Sequence, residues 1–155
     1  PRSDLAVLKL VDPPDDLVPL PWGDSSSLRL GETVLAVGNP FGNLEGSMTV
    51  GILSAKGRGD LNIQGLTPRY QDFLQTDASI NFGNSGGPLV DIQGRVIGVN
   101  TAVNTQGQGI GFATPSNIAK SVIPQLREKG KVVRGMIGGR RMSNTRTIAA
   151  SRNMF

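Results

Sequence analysis

Apolar positions come in short blocks separated by turn-forming residues. Leu5-Ala6-Val7-Leu8-Lys9-Leu10-Val11 is rich in branched side chains with Asp4 at its mouth, the pattern of a mostly buried strand. The two prolines of Asp12-Pro13-Pro14-Asp15-Asp16 end any ladder, so residues 12–31 read as a surface connection. Beyond Gly31 the turn signals recur at a steady rhythm. Strands are expected at Glu32–Gly38, Met48–Ala55, Phe73–Thr76, Pro88–Ile92, Val96–Val103 and Gly109–Ala113, with Gln93-Gly94 as a hairpin turn. Six short strands at that spacing predict an all-β fold, a small six-stranded antiparallel barrel over residues 32–114.

The period then changes. Ile118, Val122 and Leu126 fall four residues apart with Ala119 and Ile123 beside them, which predicts a C-terminal helix over 115–130. Thr114 is the expected N-cap, Pro115 the first helical residue and Lys129-Gly130 the end. Pro124 in the interior lacks an N–H and crowds the preceding turn, predicting a bend or break near Ser121. Residues 131–155 read as a connector and a disordered tail, because Arg140 to Phe155 has no period.

Composition narrows the chemistry. The 155 residues contain 21 glycines, 10 prolines and 37% hydrophobic residues, which suits a turn-rich β domain. Cysteine is absent, so no disulfide or thiolate nucleophile is available. Histidine is absent as well, which removes the usual general base and the commonest metal ligand together. No metal or cofactor is therefore expected, and Asp12, Asp15 and Asp16 match no calcium-loop spacing. Neither a membrane span nor a signal peptide is visible, and a start at Pro1 suggests excision from a longer chain. The net charge of +4 owes much to Lys129, Lys131, Arg134, Arg140, Arg141, Arg146 and Arg152, yet without aromatic platforms among them nucleic-acid binding is not expected.

One stretch carries the candidate chemistry. Ser85 lies in Gly83-Asn84-Ser85-Gly86-Gly87 between two apolar runs, where glycine permits positive φ and nothing bulky shields the hydroxyl. Such a turn suits a nucleophile. It also lets the N–H groups of Gly83, Asn84 and Ser85 converge where an oxyanion would develop. A lone Gly-x-Ser-Gly would still be read as an ordinary hairpin loop.

Here the surrounding motifs change the weighing. Ser3-Asp4-Leu5-Ala6-Val7-Leu8-Lys9, Gly38-Asn39-Pro40-Phe41-Gly42, Thr49-Val50-Gly51-Ile52-Leu53-Ser54, Gln75-Thr76-Asp77-Ala78, the Ser85 turn, Val96-Ile97-Gly98-Val99-Asn100-Thr101 and Gly109-Ile110-Gly111-Phe112-Ala113 together resemble the HtrA/Deg branch of the two-barrel trypsin-like serine endopeptidases. The resemblance spans about Ser3 to Gly139. It implies that residues 32–114 are the second barrel and that residues 1–11 are the last strand of a truncated first barrel. Ser85 would be the nucleophile, Asp4 the triad aspartate, and Gly83, Asn84 and Ser85 the oxyanion hole. Ile80 and Val103 would line an apolar specificity pocket, and Asn100, Thr101 and Ala102 would pair with the substrate backbone.

Each role has a plainer competitor. Asp4 could be a strand-start carboxylate, Ile80 and Val103 could be core, and Asp77 is read as structural. The triad also needs a histidine to take the serine proton. None is present, so the chain is expected to be inactive by itself, a peptidase domain lacking its base, with a non-catalytic peptide-binding remnant of chaperone-like role as the alternative. The resemblance further implies unfolded or extended polypeptide substrates, trimers, protein quality control and a place in the bacterial cell envelope or periplasm. The peptide-binding PDZ module that usually follows in the family is not recognisable from Arg140 onward.

Overall fold

The computed structural model describes residues 4–39, 42, 46–59, 72–103 and 109–133, without the side chains of Ala102 and Val103. The tail expected over 140–155 lies outside them. Six strands and one helix follow in order: β1 Thr33–Gly38, β2 Ser47–Arg58, β3 Phe73–Thr76, β4 Pro88–Asp91, β5 Val96–Val103, β6 Gly111–Pro115 and α1 Ser116–Lys129. The strands close into a barrel in the order β1-β2-β3-β6-β5-β4, with every adjacent pair antiparallel.

The barrel forms because alternate residues on each strand are apolar and can be turned inward together. Val34 and Ala36 of β1 are fully buried, and they meet Leu53, Leu74, Leu89, Ile97 and Ala113 from the other five strands. Complete burial of a leucine or valine contributes about 1.5–3 kcal/mol, so this small set dominates the stabilisation of the barrel. β2 turns a corner. It pairs with β1 from Ser47 to Ile52, then shifts register after Leu53 and again after Ala55 to follow β3. Such irregularities bend a strand and strengthen its twist, which a small barrel needs. The β4–β5 hairpin is closed by Asp91, whose Oδ1 accepts from the Gln93 and Arg95 N–H groups while Oδ2 accepts from Arg95 Nε at 2.7 Å.

Leu5–Val11 departs from expectation. No strand forms there, and Leu8 and Val11 are 87% and 86% exposed. The reason is topological: each of the six strands already has two neighbours, so the closed barrel offers this segment no full edge to join. The second half of the expected connection is instead part of the domain. Val96 N–H donates to the Pro21 carbonyl and Gly23 N–H to the Val96 carbonyl, both at 2.8 Å, and Leu28 is buried in the core.

The helix begins one residue late. Thr114 is held in β6 opposite Val99, and Pro115 becomes the N-cap without a side-chain capping bond. Ala119 and Val122 are buried on the face that packs against β5 and β6. The helix continues through Pro124, so of the bend or break expected near Ser121 the break does not occur. Pro124 lies on the exposed side, where docking of the opposite face holds the helix together despite the missing bond. Gly130 ends it in the left-handed conformation, its N–H donating to the Leu126 carbonyl at 2.9 Å. Among the described residues no helix is long and apolar enough to cross a membrane.

The start of α1 is tied to residues 23–25. Ser116 Oγ and Lys120 Nζ donate to the Gly23 carbonyl, Asn117 N–H to Ser25 Oγ, and Asn117 Nδ2 to Asp24 Oδ1 at 2.7 Å. The Ser26 hydroxyl, followed by the Asn117 amide and the Ser26 N–H, holds the Asp24 carboxyl down to about 2. A carboxyl depressed on folding contributes stability above its unfolded pKa, and that contribution is lost as pH falls through the folded value. Asp24→Asn is therefore expected to lower the melting temperature at pH 7, with the gap to wild type closing between pH 4 and 2. Circular dichroism melts across that range check it; a gap that stays constant with pH would show that the charge is irrelevant.

Candidate active site

The turn between β3 and β4 is built from its flanks inward. Asp77 Oδ1 accepts from Ile52 N–H at 2.6 Å, and Thr76 Oγ1 accepts from Ala78 N–H at 3.0 Å, fixing the exit from β3 to the middle of β2. Asp77 thus has the structural role expected of it. The Ser79 carbonyl accepts from Thr49 Oγ1 at 2.8 Å and from Asn84 Nδ2 at 3.1 Å. Asn84 is 1% exposed and acts as the internal brace: its Oδ1 accepts from Asn81 N–H, its own N–H donates to the Asn81 carbonyl, and its carbonyl accepts from Gly87 N–H.

These bonds separate the groups expected to converge. The Asn84 N–H is committed to Asn81 at 3.2 Å, so it departs from the three-donor expectation. Among the described residues the Gly83 and Ser85 N–H groups have no acceptor, and the Ser85 hydroxyl has no partner. Ser85 is exposed, between Gly83 at φ +102° and Gly86 at φ +87°. Both values lie in the region glycine adopts without steric cost, and the turn lifts Ser85 clear of the brace beneath it.

β5 supplies the neighbouring wall. Asn100 accepts at its carbonyl from Gly86 N–H at 2.7 Å, donates its N–H to the Gly87 carbonyl at 2.9 Å, and donates Nδ2 to the Pro88 carbonyl at 3.3 Å. Its main chain is thereby occupied by the serine turn, so Asn100 is not part of an open substrate edge. β4 pairs with β5 only from Val96 to Val99. Beyond Asn100, Ala102 and Val103 pair with Phe112 and Gly111 of β6 and have no partner on their other side among the described residues. The register shift at Thr101 marks where that open edge begins. Thr101 Oγ1 contacts Thr114 Oγ1 at 3.0 Å, joining β5 to β6 from the side chains as well.

Ile80 is 5% exposed and belongs to the core cluster. It lies over Gly111, where a Cβ would come within 2.8 Å of its Cδ1, and Gly111 pairs with Val103. The two pocket candidates therefore flank one position of β6. Asp4 stands apart from this arrangement: it is exposed, has φ +49°, and makes no hydrogen bond or ion pair among the described residues. The bracing role of Asn100 was missed by sequence reasoning. The available signal was an amide residue, normally depleted in strands, directly after the run Val96-Ile97-Gly98-Val99 and within the expected strand Val96–Val103.

A closed six-stranded barrel that presents an unbonded serine on a glycine-flanked turn has the form of a trypsin-like peptidase barrel. A model of the trypsin-like peptidase domain matches residues 1–99. A probable periplasmic serine endoprotease, DegP-like, from Brucella suis is 51% identical over 154 residues, covering 97% of this chain and 29% of its own length. Among solved structures, the HtrA-type protease AlgW with tripeptide aligns with a TM-score of 0.72 at 47% identity, over 85% of this chain and 43% of that one. The serine endoprotease from Yersinia pestis aligns at 0.65 and 42% identity, over 80% and 41%. The chain belongs to the trypsin-like peptidases, in their HtrA/Deg branch. It spans less than half the length of each of these relatives.

Proposed function

We propose that this chain carries the nucleophile half of an HtrA-type serine endopeptidase, with Ser85 as the attacking group. The observation that carries the reading is the geometry of the turn: Ser85 is exposed between Gly83 at φ +102° and Gly86 at φ +87°, and among the described residues its hydroxyl and the adjacent Gly83 and Ser85 N–H groups have no partner. In the reaction, Ser85 Oγ adds to a peptide carbonyl, and the oxyanion that forms is held by those two N–H groups. The substrate main chain adds to β5 at Thr101, Ala102 and Val103, with Ile80 and Val103 shaping an aliphatic pocket. Asp4 is the candidate for orienting the base. As the chain contains no histidine, that base has to come from outside these 155 residues. Extended polypeptides of a periplasmic quality-control pathway are the substrates this reading implies, and trimers the assembly, in line with the periplasmic names of the relatives.

Loss of the histidine base costs on the order of a millionfold in turnover, equivalent to about 8 kcal/mol of barrier. A fluorophosphonate probe is accordingly expected to leave the chain by itself unlabelled, and to label Ser85 once a first barrel bearing the histidine is co-expressed. Labelling in neither case would overturn the peptidase reading. It would leave the free β5 edge as the feature of a module that binds aliphatic peptides without cleaving them.

A further inference from the structure

Asn100 is a residue whose chemistry the fold does not need. It is 1% exposed on β5 and pairs with Ala113, so its side chain occupies the same face as a fully buried core residue. Its Oδ1 is buried and has no hydrogen-bond partner among the described residues. A buried acceptor without a donor destabilises a fold, whereas an apolar side chain of the same shape would not. What Asn100 does supply is the donated bond from Nδ2 to the Pro88 carbonyl, in addition to main-chain bonds with Gly86 and Gly87. All three contacted residues lie immediately after Ser85.

We propose that Asn100 is a positioning residue for the nucleophile, clamping Gly86-Gly87-Pro88 so that the Ser85 hydroxyl is held in its reactive place. This rests on the reading of Ser85 as nucleophile. The backbone bonds fix the distance between β5 and the turn and hold Gly86 and Gly87 by their main chain alone, since neither residue has a side chain to add a contact of its own. The side-chain bond to Pro88 adds to its ladder pairing with Val99 and ties the residue after the glycine pair to the same Asn100. Asn100 therefore acts through the turn and not on the substrate, and the open substrate edge starts one residue later, at Thr101.

Asn100→Leu separates positioning from structure, because it removes both the donated bond and the orphaned acceptor. The expected result is a melting temperature equal to or above that of the unsubstituted chain, together with a fall on the order of tenfold or more in the rate at which fluorophosphonate labels Ser85 in the histidine-complemented assembly. The split is the signature: a merely structural residue would lose stability along with reactivity. Should Asn100→Leu fail to fold, Asn100→Ala, which keeps the main-chain bonds, serves with the same expected loss of reactivity. Labelling within twofold of the unsubstituted assembly in a folded variant would overturn the proposal while leaving the peptidase reading intact. An unsubstituted assembly that is not labelled at all would overturn both.

Discussion

Ser85→Ala is expected to lower peptide hydrolysis by the histidine-complemented assembly on the order of a millionfold while leaving its melting temperature unchanged. The two halves of the result come from different features of one side chain. Ser85 is exposed and its hydroxyl has no partner among the described residues, so its removal opens no cavity and orphans no buried group. Surface substitutions of that kind stay within about 0.5 kcal/mol. The chemical loss, by contrast, is complete: alanine has no oxygen to form the acyl-enzyme, and what remains is the contribution of oxyanion binding to direct attack by water. Steady-state hydrolysis of an aliphatic peptide, with thermal melts of the same preparations, measures both quantities. A fall of less than about a hundredfold would place the nucleophile elsewhere.

The parts of the fold that local chemistry decides could be read from the chain. Strand positions followed from alternation and from turn residues such as Gln93-Gly94, and the helix end from Gly130, because those preferences act within a few residues. The failures share a different origin. Leu5–Val11 has a strand's composition, but a strand exists only when another offers it a ladder, and this segment pairs with none of the six barrel strands. Thr114 looked like a cap, yet its pairing with Val99 draws it into β6 and leaves Pro115 at the boundary. Pro124 would break an isolated helix; burial of Ala119 and Val122 on the opposite face overrides it. At the site, the glycine-serine motif exposed Ser85, while the inward commitment of the Asn84 N–H and the clamp from Asn100 depend on residues brought together across the barrel.

Gly38→Ala is the substitution expected to damage the scaffold and the site together. Gly38 ends β1, and its φ is not in the left-handed region, so alanine meets no conformational penalty there and the outcome is decided by space alone. A Cβ at Gly38 would overlap the Cα and Cβ of Asn84. Neither side can yield cheaply. Asn84 is buried and held by bonds to Ser79, Asn81 and Gly87, and the adjoining Asn39 N–H donates to the Gly83 carbonyl at 3.2 Å. Overpacking of main chain against main chain costs about 3 kcal/mol or more, which for a domain of this size lowers the melting temperature by roughly 10 °C. The displaced residue sits between the two free N–H groups, so fluorophosphonate labelling of Ser85 should fall on the order of a hundredfold in whatever fraction remains folded. Gly31→Ala provides the contrast, with φ +85° but open space around the added methyl group; its cost is conformational only, about 1 kcal/mol, and it lies outside the serine turn. If Gly38→Ala melted within 2 °C of wild type and labelled normally, the close approach of β1 to Asn84 would not be what holds the turn.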